Sequence, residues 1–171
     1  RYLERRVLFV EGFCLGRVAT TSTDIIIRSL AARSAIREEK RFELLEIGTL
    51  FGLGAFLLYD SLESLDVDCK LTLIDPLDGY YGTNSQDPIT GLIASENLLL
   101  RNSSKLSIPS EKLDLLTGLS TDQDVISATH SDYDLVLIDG DHSYEGIKSD
   151  FTLYADKIRK GGILLIDDYQ T

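Results

Sequence analysis

The sequence predicts an α/β fold in which a mainly parallel sheet is covered by helices on both faces. Short apolar runs rich in Leu, Ile and Val alternate with longer segments of helical spacing, and several of these runs end at glycine or aspartate. Strands separated by helices imply βαβ units with right-handed crossovers, which place helices on both sides of a parallel sheet. We therefore expect a Rossmann-like, doubly wound architecture.

Five strands and four intervening helices follow from these runs in chain order. The predicted strands are Phe42 to Gly48 (FELLEIG), Cys69 to Asp75 (CKLTLID), Lys112 to Gly118 (KLDLLTG, the weakest), YDLVLIDG and GILLID. The predicted helices are AFLLYDSLESL, ITGLIASENLLLRNSSKL, TDQDVISATH and HSYEGIKSDFTLYADKIRKG, the last of them closed by glycine.

The first 40 residues precede this alternation. Asp24 to Lys40 is predicted as a helix with a TSTD cap, whereas Arg1 to Thr23 has no clear period. We therefore expect an N-terminal helical segment or lid over residues 1–40 and a ligand-binding domain over residues 41–171, forming one domain overall. The chain begins at Arg1 and contains no methionine, so we expect an excerpt from a longer polypeptide.

The composition of the chain limits which binding partners and which cellular compartment are expected for the protein. The net charge is -11 and the pI is near 4.5, so a nucleic-acid backbone would be repelled and is not expected as a partner. Cys14 and Cys69 belong to no metal-binding or disulfide pattern, which favours a reducing cytoplasm. The early run VLFVEGFCLG is too short to span a membrane. The sequence leaves open whether copies of the chain form a homo-oligomer.

Acids and a histidine follow the last two predicted strands. Asp139 ends the fourth strand and His142 lies three residues on, while Asp167 and Asp168 end the fifth. Because ligands bind at the carboxyl ends of parallel strands, these carboxylates should converge there. Converging carboxylates need a cation, and oxygen ligands favour Mg²⁺, Mn²⁺ or Ca²⁺. The alternative is that each acid is a solvated turn residue or helix cap. His130, in a polar run, is interpreted as a surface residue.

The first predicted turn, LEIGTLFGLG, contains the glycines Gly48 and Gly52. Glycine lets the backbone approach a ligand closely, although such a turn also arises from simple strand-to-helix geometry. The pattern is not the GxGxxG of dinucleotide sites, and Glu46 would repel a pyrophosphate but suit an ammonium or sulfonium group. Asp75 stands where Rossmann-type proteins bind ribose, unless it is only a helix cap.

Together, LEIGTLFGLG, LTLID, LLTGLS, LVLIDGDHSYEGIKSDF and GGILLIDDY resemble the class I S-adenosylmethionine-dependent methyltransferases. Within them, the chain looks like the metal-dependent O-methyltransferases related to the macrocin and mycinamicin enzymes and to cephalosporin-hydroxylase-type proteins. Catechol O-methyltransferase is a more distant relative. The resemblance covers roughly Arg41 to Tyr169.

This resemblance implies a cofactor, a metal ion and a base. It implies S-adenosylmethionine contacts by Glu46, Gly48 and Gly52 at the methionine end, Asp75 at the ribose, Gly118 to Ser120 near the adenine, and Asp139. It implies Mg²⁺ or Mn²⁺ held by Asp139, Asp167 and Asp168, with His142 as the general base. Family members continue into two further strands, so we expect C-terminal strands to be missing and the fifth strand to be an uncovered edge.

These residues suit methyl transfer to a hydroxyl, because a metal ion lowers the hydroxyl pKa while an imidazole removes the proton. We therefore predict a metal-dependent O-methyltransferase acting on a small hydroxylated molecule, such as a natural product or sugar-like acceptor. A non-catalytic cofactor- or metal-binding module of a larger protein stays open, as does a nicotinamide-dependent oxidoreductase, which Glu46 disfavours. The long loop Pro76 to Gly91 carries Tyr80 and Tyr81, which could close over the cofactor or pack the loop onto the body.

Overall fold

The computed structural model describes residues 2–79 and 84–167. Within these ranges the helices are α1 Tyr2–Phe13, α2 Ser22–Ser34, α3 Leu53–Glu63, α4 Glu96–Lys105, α5 Gln123–Ala128 and α6 Tyr144–Tyr154. The strands are β1 Arg41–Ile47, β2 Asp68–Asp75, β3 Leu113–Thr117, β4 Tyr133–Ile138 and β5 Ile158–Ile166. Short 3₁₀ turns, Ser110–Lys112 and Ala155–Lys157, precede β3 and β5.

The five strands form one parallel sheet in the order β3-β2-β1-β4-β5. Successive residues of β1 face opposite sides: Phe42 and Leu44 join a core with α1 to α4, whereas Leu45 and Ile47 join a second core with α5 and α6. The predicted Rossmann-like, doubly wound fold is therefore confirmed. The strand order reverses between β1 and β4, and this is the place where such sheets bind ligands.

The N-terminal segment contains a helix where the sequence showed no clear period. Val7 and Val10 of α1 are buried in the first core, and Arg6 pairs with Asp60 of α3 at 2.6 Å. The next helix, α2, begins with the predicted cap, because Thr21 and Asp24 form a reciprocal capping box. Residues of the 1–40 segment thus share a core with α3. In the described ranges, every helix is too short or too polar to cross a bilayer.

The prediction that the sixth helix continues to Lys160 is wrong. It ends at Tyr154, and β5 begins at Ile158, before the paired glycines that were interpreted as its start. The early start is stabilised by Arg159, whose guanidinium bonds the fully buried carboxylate of Asp134 and the carbonyl oxygen of Ala35. Likewise α4 begins only at Glu96, seven residues later than its predicted apolar run.

Candidate active site

A cavity of about 830 Å³ lies at the carboxyl edge of the sheet, where β1, β2 and β4 end. This volume is in the range of pockets that hold nucleoside-sized ligands. Most of the predicted site residues line it, namely Glu46, Gly48, Asp75, Gly118, Ser120, Asp139 and His142. The fold thus brings together residues that lie up to 96 positions apart in the sequence.

Two glycines shape the first turn, but only one of them faces the cavity. Gly48 has φ 82°, and a Cβ there would collide with the carbonyl of Asp139, so β1 and β4 can close together at this point only with glycine. Gly52 has φ 77° and caps α3, where a Cβ would press into the Phe56 ring. The cavity wall does not include Gly52, so the structure does not support its predicted contact with a cofactor.

Asp75 organises this turn from the end of β2. Its Oδ2 accepts hydrogen bonds from the amides of Thr49 and Leu50, at 2.9 and 2.8 Å, and its Oδ1 accepts one from Leu77. Burial raises the pKa of Asp75, and these amides oppose the shift. A carboxylate has about four acceptor positions, so one position on Oδ1 is left for a ligand in the cavity.

Glu46 is a buried acid at the centre of the site, with only 2% of its surface exposed. Its Oε2 accepts a hydrogen bond from the Thr49 hydroxyl at 2.9 Å, and its Oε1 lies 3.6 Å from Nη1 of Arg28. Burial raises the pKa of Glu46 to about 7, although the Arg28 guanidinium opposes this shift. Glu46 can therefore change its protonation state near neutral pH.

Arg28, a residue that the sequence analysis missed, connects the acids of β1, β4 and β5. Its Nη2 donates a hydrogen bond to Asp139 Oδ2 at 2.7 Å and another to Asp167 Oδ2. Burial alone would lower the pKa of Arg28, but the carboxylates of Glu46, Asp139 and Asp167 reverse this and raise it. Asp139 itself has a raised pKa, because burial outweighs its bond to Arg28. One guanidinium is thus shared by three carboxylates.

The same contacts test whether a divalent ion fits these acids. Asp139 and Asp167 do converge, as the sequence predicts, whereas Asp168 lies outside the described residues. In the part of the chain that is described, no three acids, histidines or cysteines are arranged to hold a metal ion. The carboxylate oxygens that would face the ion bond Arg28 instead, so the described residues do not fit a metal centre in this arrangement.

His142 lies at the mouth of the cavity, with its side chain about 35% exposed. Its Nε2 is 3.4 Å from Asp139 Oδ1, longer than a normal hydrogen bond but close enough to shorten when a ligand closes the site. The neighbouring Asp141 accepts hydrogen bonds from the amide and hydroxyl of Ser143, which caps α6. The cap fixes the turn that carries His142. His130 is exposed, as predicted, and stacks on Tyr133.

The far end of the cavity is formed by the turn after β3 and by α6. Ser120 donates a hydrogen bond to Oδ1 of the buried Asp150 at 2.5 Å, and the Tyr154 hydroxyl donates to the Ser120 carbonyl. Gly118 lies beside them and donates its amide hydrogen to the Asp75 carbonyl. Sequence analysis had selected Gly118 and Ser120 but missed Asp150, which gave no signal inside a predicted helix.

A third part of the wall comes from the N-terminal segment. Arg17 lines the cavity and pairs at 2.9 Å with Asp87, a fully buried acid of the long loop predicted from Pro76 to Gly91. This pair ties the segment before α2 to that loop. Tyr80 and Tyr81 of the same loop lie outside the described residues.

Comparison with protein families identifies the family of this chain. A family described as a methyltransferase domain matches residues 45–169, which include the end of β1, all of β2 to β5 and the predicted site residues. The chain belongs to this methyltransferase-domain family. Its acid-lined cavity is therefore the candidate active site of a methyltransferase domain.

Solved structures share the fold at low sequence identity. The cofactor-bound protein Rv0187 from MTB matches with TM-score 0.62 and 16% identity, over 97% of this chain and 65% of that chain. The O-methyltransferase TomG from Streptomyces achromogenes, solved with SAM, matches with TM-score 0.60 and 16% identity, over 96% of this chain and 63% of that chain. These likenesses show the fold alone.

A viral relative is closer in sequence over a shorter stretch. An uncharacterized protein of Acanthamoeba polyphaga mimivirus is 31% identical over 87 residues, which are 49% of this chain and 39% of that protein. This chain therefore spans less than two thirds of the length of the relatives described above.

Proposed function

We propose that this chain is an S-adenosylmethionine-dependent O-methyltransferase that acts on a hydroxyl group of a small molecule. The observation that carries the proposal is the acid-lined cavity at the carboxyl edge of a methyltransferase-family sheet, with His142 beside Asp139 at its mouth. The shared fold with TomG, an O-methyltransferase solved with SAM, supports the same reading of the cavity.

The cavity residues fit a cationic nucleoside. When bound, S-adenosylmethionine supplies the methyl group that is transferred. Glu46 and Asp139 place negative charge at the end of the cavity where β1 and β4 meet, which favours a positively charged group there. Asp75 keeps one acceptor position for a hydroxyl donor such as ribose. Ser120 and Gly118, near the adenine in this proposal, close the opposite end.

His142 is the proposed general base. Neutral imidazole accepts the proton of the acceptor hydroxyl, and the alkoxide character that develops makes the oxygen a better nucleophile. Asp139 lies within reach of the ring and stabilises the imidazolium that results. Because the His142 side chain is partly exposed at the cavity mouth, an acceptor can reach it from solvent.

Metal dependence is left out of this proposal. The divalent ion predicted from the sequence would use Asp139, Asp167 and Asp168, and the described members of this set bond Arg28. Dependence on Mg²⁺ or Mn²⁺ is a prediction from the sequence, and a measurement of Mn²⁺ binding to the chain tests it.

The direct test is transfer of a tritiated methyl group from S-adenosylmethionine to vicinal diols, phenols and sugars, in parallel with calorimetric titration of S-adenosylhomocysteine. We expect saturable binding of the nucleoside and labelled product from at least one hydroxylated class. Binding without transfer to any acceptor class would favour the non-catalytic cofactor-binding module. Binding of NADH, with no binding of S-adenosylhomocysteine, would revive the oxidoreductase reading.

A further inference from the structure

The position between Asp139 and Asp167 is taken by a side chain of the protein itself. Arg28 donates to Oδ2 of both carboxylates and also lies 3.6 Å from Glu46, with only 5% of its side chain exposed. We propose that Arg28 is the resident cation of this site and that it excludes a divalent ion from the two carboxylates. The guanidinium would then supply the positive charge that the sequence analysis assigns to the metal ion.

The oxygens available to an ion support this proposal. Oδ2 of Asp139 bonds Arg28, and Oδ1 of the same carboxylate faces His142 at 3.4 Å. An ion that bound Asp139 would therefore either displace one of these two neighbours or lie beside it. An ion beside the retained guanidinium would place two like charges at close range in a buried site, where their repulsion is strong.

The helix that carries Arg28 holds it on the core side. The buried residues of α2 are Ile25, Arg28, Ser29 and Ala32, which have the spacing of a single helical stripe. Arg28 is thus at a core position of a helix whose start is fixed by the capping box of Thr21 and Asp24. A surface arginine could swing into solvent at little cost, whereas withdrawing Arg28 would take its guanidinium away from the buried Glu46 and from two half-buried aspartates.

The balance of charge links this role to catalysis, and this step rests on the proposed function. Glu46 and Asp139 both line the cavity and share the guanidinium of Arg28, so this part of the wall keeps negative charge. That charge suits a singly charged sulfonium group beside it. The expected consequence is a methyl transfer that persists in EDTA and is not increased by Mg²⁺ or Mn²⁺.

Metal binding itself gives the test, and it does not depend on any turnover. Mn²⁺ binding is measured by electron paramagnetic resonance, and the Tm by thermal unfolding with EDTA, Mg²⁺ or Mn²⁺, for the parent, Arg28→Ala and Arg28→Lys. Arg33→Ala, in the last turn of the same helix, is the matched control. We expect the parent, Arg28→Lys and the control to bind no Mn²⁺ at sub-millimolar concentration and to keep their Tm in EDTA.

The Arg28→Ala variant should behave in the opposite way. Its unneutralised carboxylates should take up Mn²⁺, and saturating metal should raise its Tm by about 5 °C or more. The double variant Arg28→Ala/Asp139→Asn should lose most of that gain. If Arg28→Ala folds only when metal is added, the proposal is also supported.

Saturable Mn²⁺ binding by the parent that Asp139→Asn abolishes would overturn the proposal, and so would an Arg28→Ala protein that gains no response to metal. These outcomes are separate from the proposed function, since an inactive protein would still report whether metal binds. If methyl transfer is found, its resistance to EDTA in the parent provides the independent check.

Discussion

Two charge clusters lie at opposite edges of the same sheet, and they differ in the balance of acids and arginines. At the amino edge, the fully buried Asp134 accepts hydrogen bonds from the guanidiniums of Arg37 and Arg159 and from the amide of Glu43. Asp132 also pairs with Arg37, so two guanidiniums serve two aspartates there. At the carboxyl edge, within the described part of the chain, Arg28 pairs with Glu46 and with two aspartates.

This difference separates a stabilising cluster from a binding cluster. The Asp134 carboxylate at the amino edge is bonded by groups of the protein itself, and these bonds hold β1, β4 and β5 in register. At the carboxyl edge, Glu46 and Asp139 share one guanidinium and line an open cavity, where an external cation can bind beside them. A buried charge by itself does not indicate an active site. A buried charge that is incompletely neutralised and lies beside a cavity is the more specific indication.

The largest expected effect is a loss of kcat when the proposed base at the carboxyl edge is removed. Replacing His142 with Ala should lower kcat by about 10² to 10⁴, because the proposed base for the acceptor proton would be missing. Affinity for S-adenosylhomocysteine should stay within about twofold of the parent, since the ring does not hold the cofactor in this proposal. Kinetics under conditions where chemistry limits the rate provide the measurement.

His130→Ala is the matched control for this experiment, because His130 is exposed and stacks on Tyr133 at the other edge of the sheet. It should keep the parental kcat. Near-parental kcat in a folded His142→Ala protein would remove the base assignment.

The second prediction compares how much each charge cluster contributes to the free energy of unfolding. Asp134→Asn should reduce the free energy of unfolding by about 3 kcal/mol, because its fully buried carboxylate is the shared acceptor of the Arg37 and Arg159 guanidiniums. Asp139→Asn should change it by less than about 1 kcal/mol, since removing one of three crowded acids offsets the weakened bond to Arg28. Urea denaturation of both variants measures the two values. Equal losses would mean that the carboxyl-edge cluster is structural as well.

The third prediction concerns pH and Glu46, which Arg28, Asp139, Asp75 and Thr49 face. Its pKa rises from the ordinary 4.5 to about 7 on folding, so between these values the folded chain binds more protons than the unfolded chain. Stability contributed by this group therefore falls as pH rises from 4.5 to 7 and levels above that. Relative to the parent, Glu46→Gln should gain about 2 to 3 kcal/mol across this window.

Denaturation curves at pH 5 and pH 8 check this sign. Parallel changes in the parent and in Glu46→Gln would show that Glu46 is already ionised in the folded protein at pH 5.

The smallest predicted effect concerns Asp75. Asp75→Asn should weaken S-adenosylhomocysteine binding about tenfold, through loss of the charged acceptor at the ribose position and a looser turn at Thr49 and Leu50. Asp114→Asn is the control, because Asp114 lies on the edge strand β3 and pairs with Lys70 of β2. Calorimetry on both variants decides, and an unchanged dissociation constant in folded Asp75→Asn would withdraw the ribose assignment.

The sequence was sufficient for much of this architecture because the strands of a buried parallel sheet are continuous apolar runs. It was not sufficient for α1, because exposed Leu8, Phe9 and Phe13 lie among its buried valines and obscure the helical period. Gly161 and Gly162 were interpreted as the end of the preceding helix and the start of β5, since the ion pair of Arg159 with Asp134 cannot be seen in a linear pattern.

The candidate site shows the same division. Acids at strand ends converge because parallel strands share an edge, so Glu46, Asp75 and Asp139 could be selected from the sequence as candidates. Arg28 could not, because it comes from a helix that precedes the sheet pattern. One signal was available: Arg28 is a charged residue three positions after Ile25, within the buried stripe of α2.

In the proposed function, the methyl donor binds at the carboxyl edge of the sheet and not at the amino edge. Glu46 lies near the carboxyl end of β1 and Glu43 lies in its amino-terminal half, and these two buried acids give a matched pair of variants. Calorimetric titration with S-adenosylmethionine tests the claim most directly. We expect Glu46→Gln to weaken binding about tenfold or more, whereas Glu43→Gln keeps the parental affinity. Unchanged binding in Glu46→Gln, or equal losses of affinity in the two variants, would show that the methyl donor does not bind at the carboxyl edge as proposed.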